Sequence, residues 1–122
     1  MGALLMAQCP CGFSSGTIGV GGGMLNFTTY CGAPARCVVC GAFNVVNYLD
    51  SAPQCPQCGG DVQFYDDPAL QTPPDPAMPS RRDVFNWYLD QQGRSFRLPD
   101  TTYQCPQCAE LRLSFTQRGN WD

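Results

Sequence analysis

Eight of the nine cysteines in this 122-residue chain fall in close pairs, an arrangement in which thiols ligate a metal, close a disulfide or exchange one. The pairs read Cys9-Pro10-Cys11-Gly12, Cys37-Val38-Val39-Cys40-Gly41, Cys55-Pro56-Gln57-Cys58-Gly59 and Cys105-Pro106-Gln107-Cys108. Two thiols with two residues between them reach one ion from a tight turn, and two such turns fill the tetrahedron that zinc takes. Backbone N–H groups of the turn point back at the sulfurs and offset their negative charge. A glycine after the second cysteine supplies the left-handed conformation that closes the turn. Disulfides fit poorly: the count is odd, and bridges across two intervening residues are usually redox-active and rarely structural. Exchange chemistry depends on a helix starting at the motif to lower the thiol pKa, whereas the residues after Cys58 and Cys108 read as strand. Metal is the reading that the residues favour.

Fourteen residues separate Cys40 from Cys55, enough for a strand, a turn around Asp50, Ser51, Ala52 and Pro53, and a return. Cys37, Cys40, Cys55 and Cys58 are therefore expected to share one ion. The outer pairs, Cys9 with Cys11 and Cys105 with Cys108, would form a second site and tie the chain ends together. Sequential pairing, first with second and third with fourth, competes with this assignment. Only one residue lies between Cys9 and Cys11, too few for a standard turn. Cys31, the odd cysteine, is either a substitute ligand there or a buried apolar thiol.

The elements that must position these turns are mostly strands. Residues 13–20 follow the first pair; Phe43, Val45, Val46, Tyr48 and Leu49 follow the second; Val62, Phe64 and Tyr65 follow the third. After the fourth, Leu111, Leu113 and Phe115 alternate with Arg112 and Ser114, as a half-buried strand should. The glycine-rich run 16–23 lacks a following Lys and reads as a turn between strands, with Met24, Leu25, Asn26 and Phe27 continuing as strand. Residues 66–79 hold Pro68, Pro73, Pro74, Pro76 and Pro79 and read as an extended spacer. A helix is expected next. Ser80 caps it, Asp83 completes a capping box, Val84, Phe85, Tyr88 and Leu89 form its apolar face, and Gly93 ends it.

Composition narrows the function classes. Leu, Ile, Val and Phe number 24, about a fifth of the chain, near the level at which burial alone struggles to fold a sequence. All seven basic residues are Arg; the absence of Lys and His removes Walker-type phosphate lysines, Schiff bases and Ser-His or Cys-His nucleophile pairs. A net charge of −3 speaks against general nucleic-acid binding, although Arg94, Phe96 and Arg97 could form a small contact patch. Asp66 and Asp67 beside Pro68 read as a solvated loop and not as acid–base catalysts. The apolar run Ala3, Leu4, Leu5, Met6, Ala7 is too short for a signal peptide, and Met6 stands where myristoylation would want Ser or Thr. No stretch has the length of a membrane span. A reduced, cytoplasmic setting is expected.

The pair-plus-glycine pattern resembles the knuckle of zinc-ribbon and rubredoxin-like proteins, most strongly over residues 36–65. That resemblance implies a small, metal-stabilised, mainly β fold: tandem zinc-ribbon-like hairpins around two Zn2+ ions, with one packed amphipathic helix. Residues 1–65 would form the ribbon-like region (knuckles at 9–12, 37–41 and 55–59) and 66–79 a linker. Residues 80–122 would bring the helix and last knuckle to complete the same compact unit. Cys55-Pro56-Gln57-Cys58-Gly59 is similar to the second rubredoxin knuckle, which keeps iron electron transfer open, though the interval to Cys40 is shorter than in that family. Cys-Pro-x-Cys also resembles a glutaredoxin site, without its βαβ setting. The expected role is a non-catalytic interaction module or subunit with a protein partner, a nucleic-acid-binding ribbon being an alternative. Arg81, Arg82, Trp87, Arg94, Arg97 and Trp121 are the candidate anchors.

Overall fold

Residues 2–8 alternate half-buried and buried side chains, with Ala3, Leu5 and Ala7 turned into the core, so the N-terminal apolar run is a strand, β1 (Gly2–Gln8). A computed structural model of the chain describes residues 2–22, 30–77, 81–89 and 94–121. β1 is followed by β2 (Ser14–Gly21), β3 (Gly32–Cys37), β4 (Phe43–Asn47), β5 (Val62–Phe64), β6 (Asp83–Leu89), β7 (Arg94–Pro99), β8 (Tyr103–Gln104) and β9 (Leu111–Trp121). The fold is mainly β. Its main sheet has the order β4-β3-β2-β1-β9-β8, with β5 also on β3, and all pairs are antiparallel.

β4 takes one edge of β3, while β2 and β5 share the other. Among the described residues β2 meets β3 at Gly21 and Gly32 alone, so there the sheet is two groups, β4-β3-β5 and β2-β1-β9-β8, joined at that glycine pair. Both groups follow one plan: the strand leaving the second cysteine turn pairs with the strand entering the first. Antiparallel pairing throughout makes β1 and β3 run the same way, and all four cysteine turns therefore lie at one end of the sheet. Aromatic side chains fill the space between the groups. Phe43 lies 5.8 Å from Phe13, 5.7 Å from Tyr65 and 6.4 Å from Phe115, and Tyr103 meets Phe115 edge-on at 4.9 Å, all between ring centroids. The buried tyrosines satisfy their hydroxyls: Tyr65 donates to the Gln104 carbonyl and Tyr103 to the Pro99 carbonyl.

Three sequence expectations need correction. The expected helix is instead the hairpin β6–β7, with Trp87 opposite Phe96 and Phe85 opposite Leu98. Aromatic and β-branched residues (Val84, Phe85, Trp87, Tyr88) favour a pleated surface, and residues 94–99 supply the partner strand. Phe85 and Trp87, two apart, stack with centroids 6.4 Å apart, which is strand periodicity and not helical. Asp83 is no cap; it pairs with Arg97 at 3.1 Å. Ser80 and Gly93 lie outside the described residues. Second, the first part of the glycine-rich run is not a turn but belongs to β2, pairing Thr17, Ile18, Gly19 and Val20 with β1; Met24, Leu25, Asn26 and Phe27 lie outside the described residues. Third, the start of the proline-rich segment is packed. Asp67 caps a 3-10 turn at Pro68–Leu70, Leu70 is buried, and Gln71 bridges to Tyr103.

Candidate metal centres

Each cysteine turn is fixed by its own backbone before any ion is considered. In the three turns with two intervening residues, the residue after the second cysteine donates its N–H to the first cysteine's carbonyl. These bonds run from Gly41 to Cys37 (3.0 Å), Gly59 to Cys55 (2.8 Å) and Ala109 to Cys105 (2.9 Å). A second bond returns from each first cysteine's N–H to the carbonyl five residues on, at Ala42, Gly60 and Glu110. The Cys9–Cys11 turn keeps both bonds with one residue removed: Gly12 donates to Cys9, and Cys9 to the Phe13 carbonyl, each at 3.0 Å. It is a contracted version of the same device. The residue closing each turn has positive φ: Gly12 at 106°, Gly41 at 77°, Gly59 at 76° and Ala109 at 64°.

The sheet brings these turns together in two groups of four sulfurs, every sulfur lying within 4.8 Å of the others in its group. Cys37, Cys40, Cys55 and Cys58 form the first, with Cys37 to Cys58 at 3.4 Å and Cys40 to Cys55 at 3.7 Å. Cys9, Cys11, Cys105 and Cys108 form the second, with Cys9 to Cys108 at 3.8 Å and Cys11 to Cys105 at 3.7 Å. A tetrahedral ion with metal–sulfur bonds of about 2.3 Å sets its sulfurs about 3.8 Å apart. The sulfurs therefore stand where such an ion would need them, and all nine cysteines are free thiols. Outer pair with outer pair is the geometry observed, and the sequential alternative has no counterpart. The structure can hold two metal ions.

N–H donors surround the sulfurs of both centres. In the first centre Cys37 accepts from the N–H groups of Val39 (3.3 Å) and Cys40 (3.2 Å), and Cys58 from Gly60 (3.4 Å). Cys55 there accepts from the Gln57 N–H (3.4 Å) and the Asn44 side chain (3.6 Å). In the second, Gln107 approaches two sulfurs, its N–H reaching Cys105 at 3.4 Å and its side chain Cys11 at 3.9 Å, and the N–H groups of Cys11, Phe13 and Cys108 act on Cys9, Cys11 and Cys105. The Cys40 N–H, with that of Val39, draws the Cys37 thiol down to about 6. Opposite it, Cys58 feels the Gly60 N–H downward, but the neighbouring Cys37 sulfur and burial outweigh that and push it up to about 12. Cys9 behaves alike: the Cys11 N–H acts downward, while burial and the other three sulfurs lift it to about 12. Four thiols this close cannot all ionise without a cation among them.

Cys31 belongs to neither group. It is fully buried, and burial followed by the charge of Asp66 raises its thiol to about 12. The candidate partner anchors are scattered in role. Trp87 packs on Phe85 and over Gly21, Arg97 is tied to Asp83, and Arg81 donates to the Thr72 carbonyl at 2.7 Å. Arg82 is exposed. Arg94 and Trp121 sit in β7 and β9, with side chains outside the described residues. The exposed large apolar residues among those described are Val38 (51%), Val39 (72%) and Leu111 (44%), all at the cysteine end of the sheet. Sequence reasoning passed over the two valines because they lie between ligands, and it placed Leu111 on the apolar face of a half-buried strand, where the structure leaves it exposed. No helix among the described residues is long and apolar enough to cross a membrane.

No protein-family model, curated protein or solved structure matches this chain.

Proposed function

We propose that the chain is a zinc-held structural module that acts by interaction and performs no catalysis. The observation that carries this reading is the pair of all-cysteine, tetrahedrally spaced groups. Four thiolates complete the coordination of a zinc ion and leave no position for a substrate. One ion would be held by Cys37, Cys40, Cys55 and Cys58, the other by Cys9, Cys11, Cys105 and Cys108. The energetics agree: a structural zinc contributes on the order of 10 kcal/mol to folding a small domain, comparable to the whole stability of such a domain.

The interaction half of the proposal draws on Val38, Val39 and Leu111, exposed beside the two centres. Each centre of four thiolates and one dication adds −2, taking the formal charge from −3 to about −7. That charge lies at the same end as the exposed valines, so a protein partner with a basic, partly apolar face fits it and a nucleic acid does not. Elemental analysis tests the metal directly, with two zinc ions per chain expected. Chelation should abolish the β-sheet circular dichroism. A metal-free protein that stays folded, or one whose sulfurs prove to be joined in disulfides, overturns the reading. The N–H donors around Cys37, Cys55 and Cys58 also suit iron, which favours a rubredoxin-like second reading at that centre. A red purified protein would select it.

A further inference from the structure

We propose that the cavity between the β6–β7 hairpin and residues 66–72 binds a small zwitterion, a molecule carrying an ammonium and a carboxylate a few ångströms apart, such as a free α-amino acid. The cavity has a volume of about 580 Å3 and is lined by Asp66, Gln71, Arg81, Asp83, Ser95 and Arg97. Two of its four charges neutralise each other, Arg97 and Asp83 being paired at 3.1 Å. The other two do not. Asp66 accepts the Tyr48 hydroxyl at 2.7 Å and has no cationic partner within ion-pair distance among the described residues. Arg81 donates to the Thr72 carbonyl at 2.7 Å and to the Gln71 side chain at 3.4 Å, and has no acidic partner within ion-pair distance among the described residues.

A carboxylate and a guanidinium lining one cavity would ordinarily close on each other, because each loses solvation there. Here their neighbours hold them apart. Tyr48 fixes the carboxylate, and Gln71, itself buried and anchored by its amide to the Tyr65 carbonyl at 2.9 Å, steadies the guanidinium. Burial, with the charge of Asp67 beside it, raises the pKa of Asp66 by more than the Tyr48 hydroxyl and its own N–H lower it. A ligand ammonium at Asp66 and a ligand carboxylate at Arg81 would supply both missing partners with charge-assisted hydrogen bonds. The lining charges sum to zero, so polyanions such as nucleotides and free dications are poor fits. The site is independent of the metal reading.

The test uses the full chain as purified. Glycine, L-serine, L-glutamine and L-leucine are titrated while backbone amide resonances are followed by NMR, with acetate and methylamine as half-ligands. Saturable shifts at Asp66, Gln71, Arg81 and Ser95 are expected for at least one amino acid, with each half-ligand weaker by about tenfold or more. Asp66→Asn keeps an acceptor for Tyr48 and should weaken the zwitterion about tenfold while leaving acetate unchanged. The proposal is overturned if no amino acid gives saturable shifts, if acetate binds as tightly as the zwitterions, or if Asp66→Asn binds as the wild type does. The half-ligand comparison needs no variant, so a misfolded Asp66→Asn protein leaves the test decisive.

Discussion

The centre at Cys37, Cys40, Cys55 and Cys58 closes a span of 15 residues between Cys40 and Cys55, whereas the other closes 94 between Cys11 and Cys105. In both, N–H groups of the turns point at the sulfurs: Val39, Cys40, Gln57 and Gly60 in the first, Cys11, Phe13, Gln107 and Cys108 in the second. Turn geometry is shared, so the difference lies in what brings the turns together. In the first centre a short stretch of chain does so; in the second it is the pairing of β1 with β9 along the length of β1. Loop-closure entropy makes the longer span about 1.6 kcal/mol costlier to close in the unfolded chain. A knuckle is a local product of sequence, while this second centre is a product of the sheet.

The largest expected effect follows from that contrast. In urea, with a chromophoric chelator reporting free metal, one equivalent should be released together with the loss of sheet circular dichroism, and the other at higher urea. Cys105→Ser should remove the early equivalent and Cys55→Ser the late one. Simultaneous release of both would show the two centres to depend equally on the fold.

Next in size is the joint between the halves. Gly21 carries the only β2–β3 pair among the described residues, has φ of 85°, and a Cβ there would meet Trp87 at 3.0 Å and Phe85 at 3.1 Å. Gly21→Ala combines a left-handed alanine with displaced aromatic rings and should destabilise the protein by about 2–4 kcal/mol, read from the urea midpoint. Both centres should still load with metal, because neither turn is touched. Loss of a metal equivalent would mean that the halves are coupled through this pair more tightly than the short-span centre allows.

The first centre was legible in the sequence because everything it needs is close in sequence: two spaced pairs, a glycine after each, and a strand after each. The second was legible only as a pairing of leftovers, because its determinant, β1, is a run of Ala, Leu and Met without a strand's strong formers. β3 was missed for a related reason. Gly32-Ala33-Pro34-Ala35-Arg36-Cys37 has none of the β-branched or aromatic strand formers, yet it is buried with partners on both edges, where small side chains fit. The β6–β7 hairpin failed as a sequence reading because Val84, Phe85, Tyr88 and Leu89 satisfy helical spacing while Phe85 and Trp87 satisfy strand spacing. Tertiary packing against Gly21 decides between them.

A smaller effect separates ligands from bystanders. Cys31→Ala removes one buried sulfur and should cost about 1 kcal/mol without changing metal content. With its thiol held near 12, Cys31 stays protonated at pH 8 and should resist iodoacetamide in the folded protein, as mass spectrometry can show. A lost metal equivalent in Cys31→Ala would place it in the second centre after all.

The smallest effect is the one most specific to the contrast between the centres. Ala109 is the one closing residue of the four turns that is not glycine, and it holds φ of 64° where an L-residue is strained by about 1–2 kcal/mol. It is exposed, so its methyl contributes no packing that glycine would lose. Ala109→Gly relieves the strain but frees the unfolded chain by about 0.4–1 kcal/mol, which leaves a net gain of about 0.5–1 kcal/mol. The gain falls on the turn carrying Cys105 and Cys108, so release of the early metal equivalent should move to higher urea and approach the later one. If Ala109→Gly instead destabilises the protein, left-handed strain is not what distinguishes this turn. The weaker hold of the second centre would then rest on its long span alone.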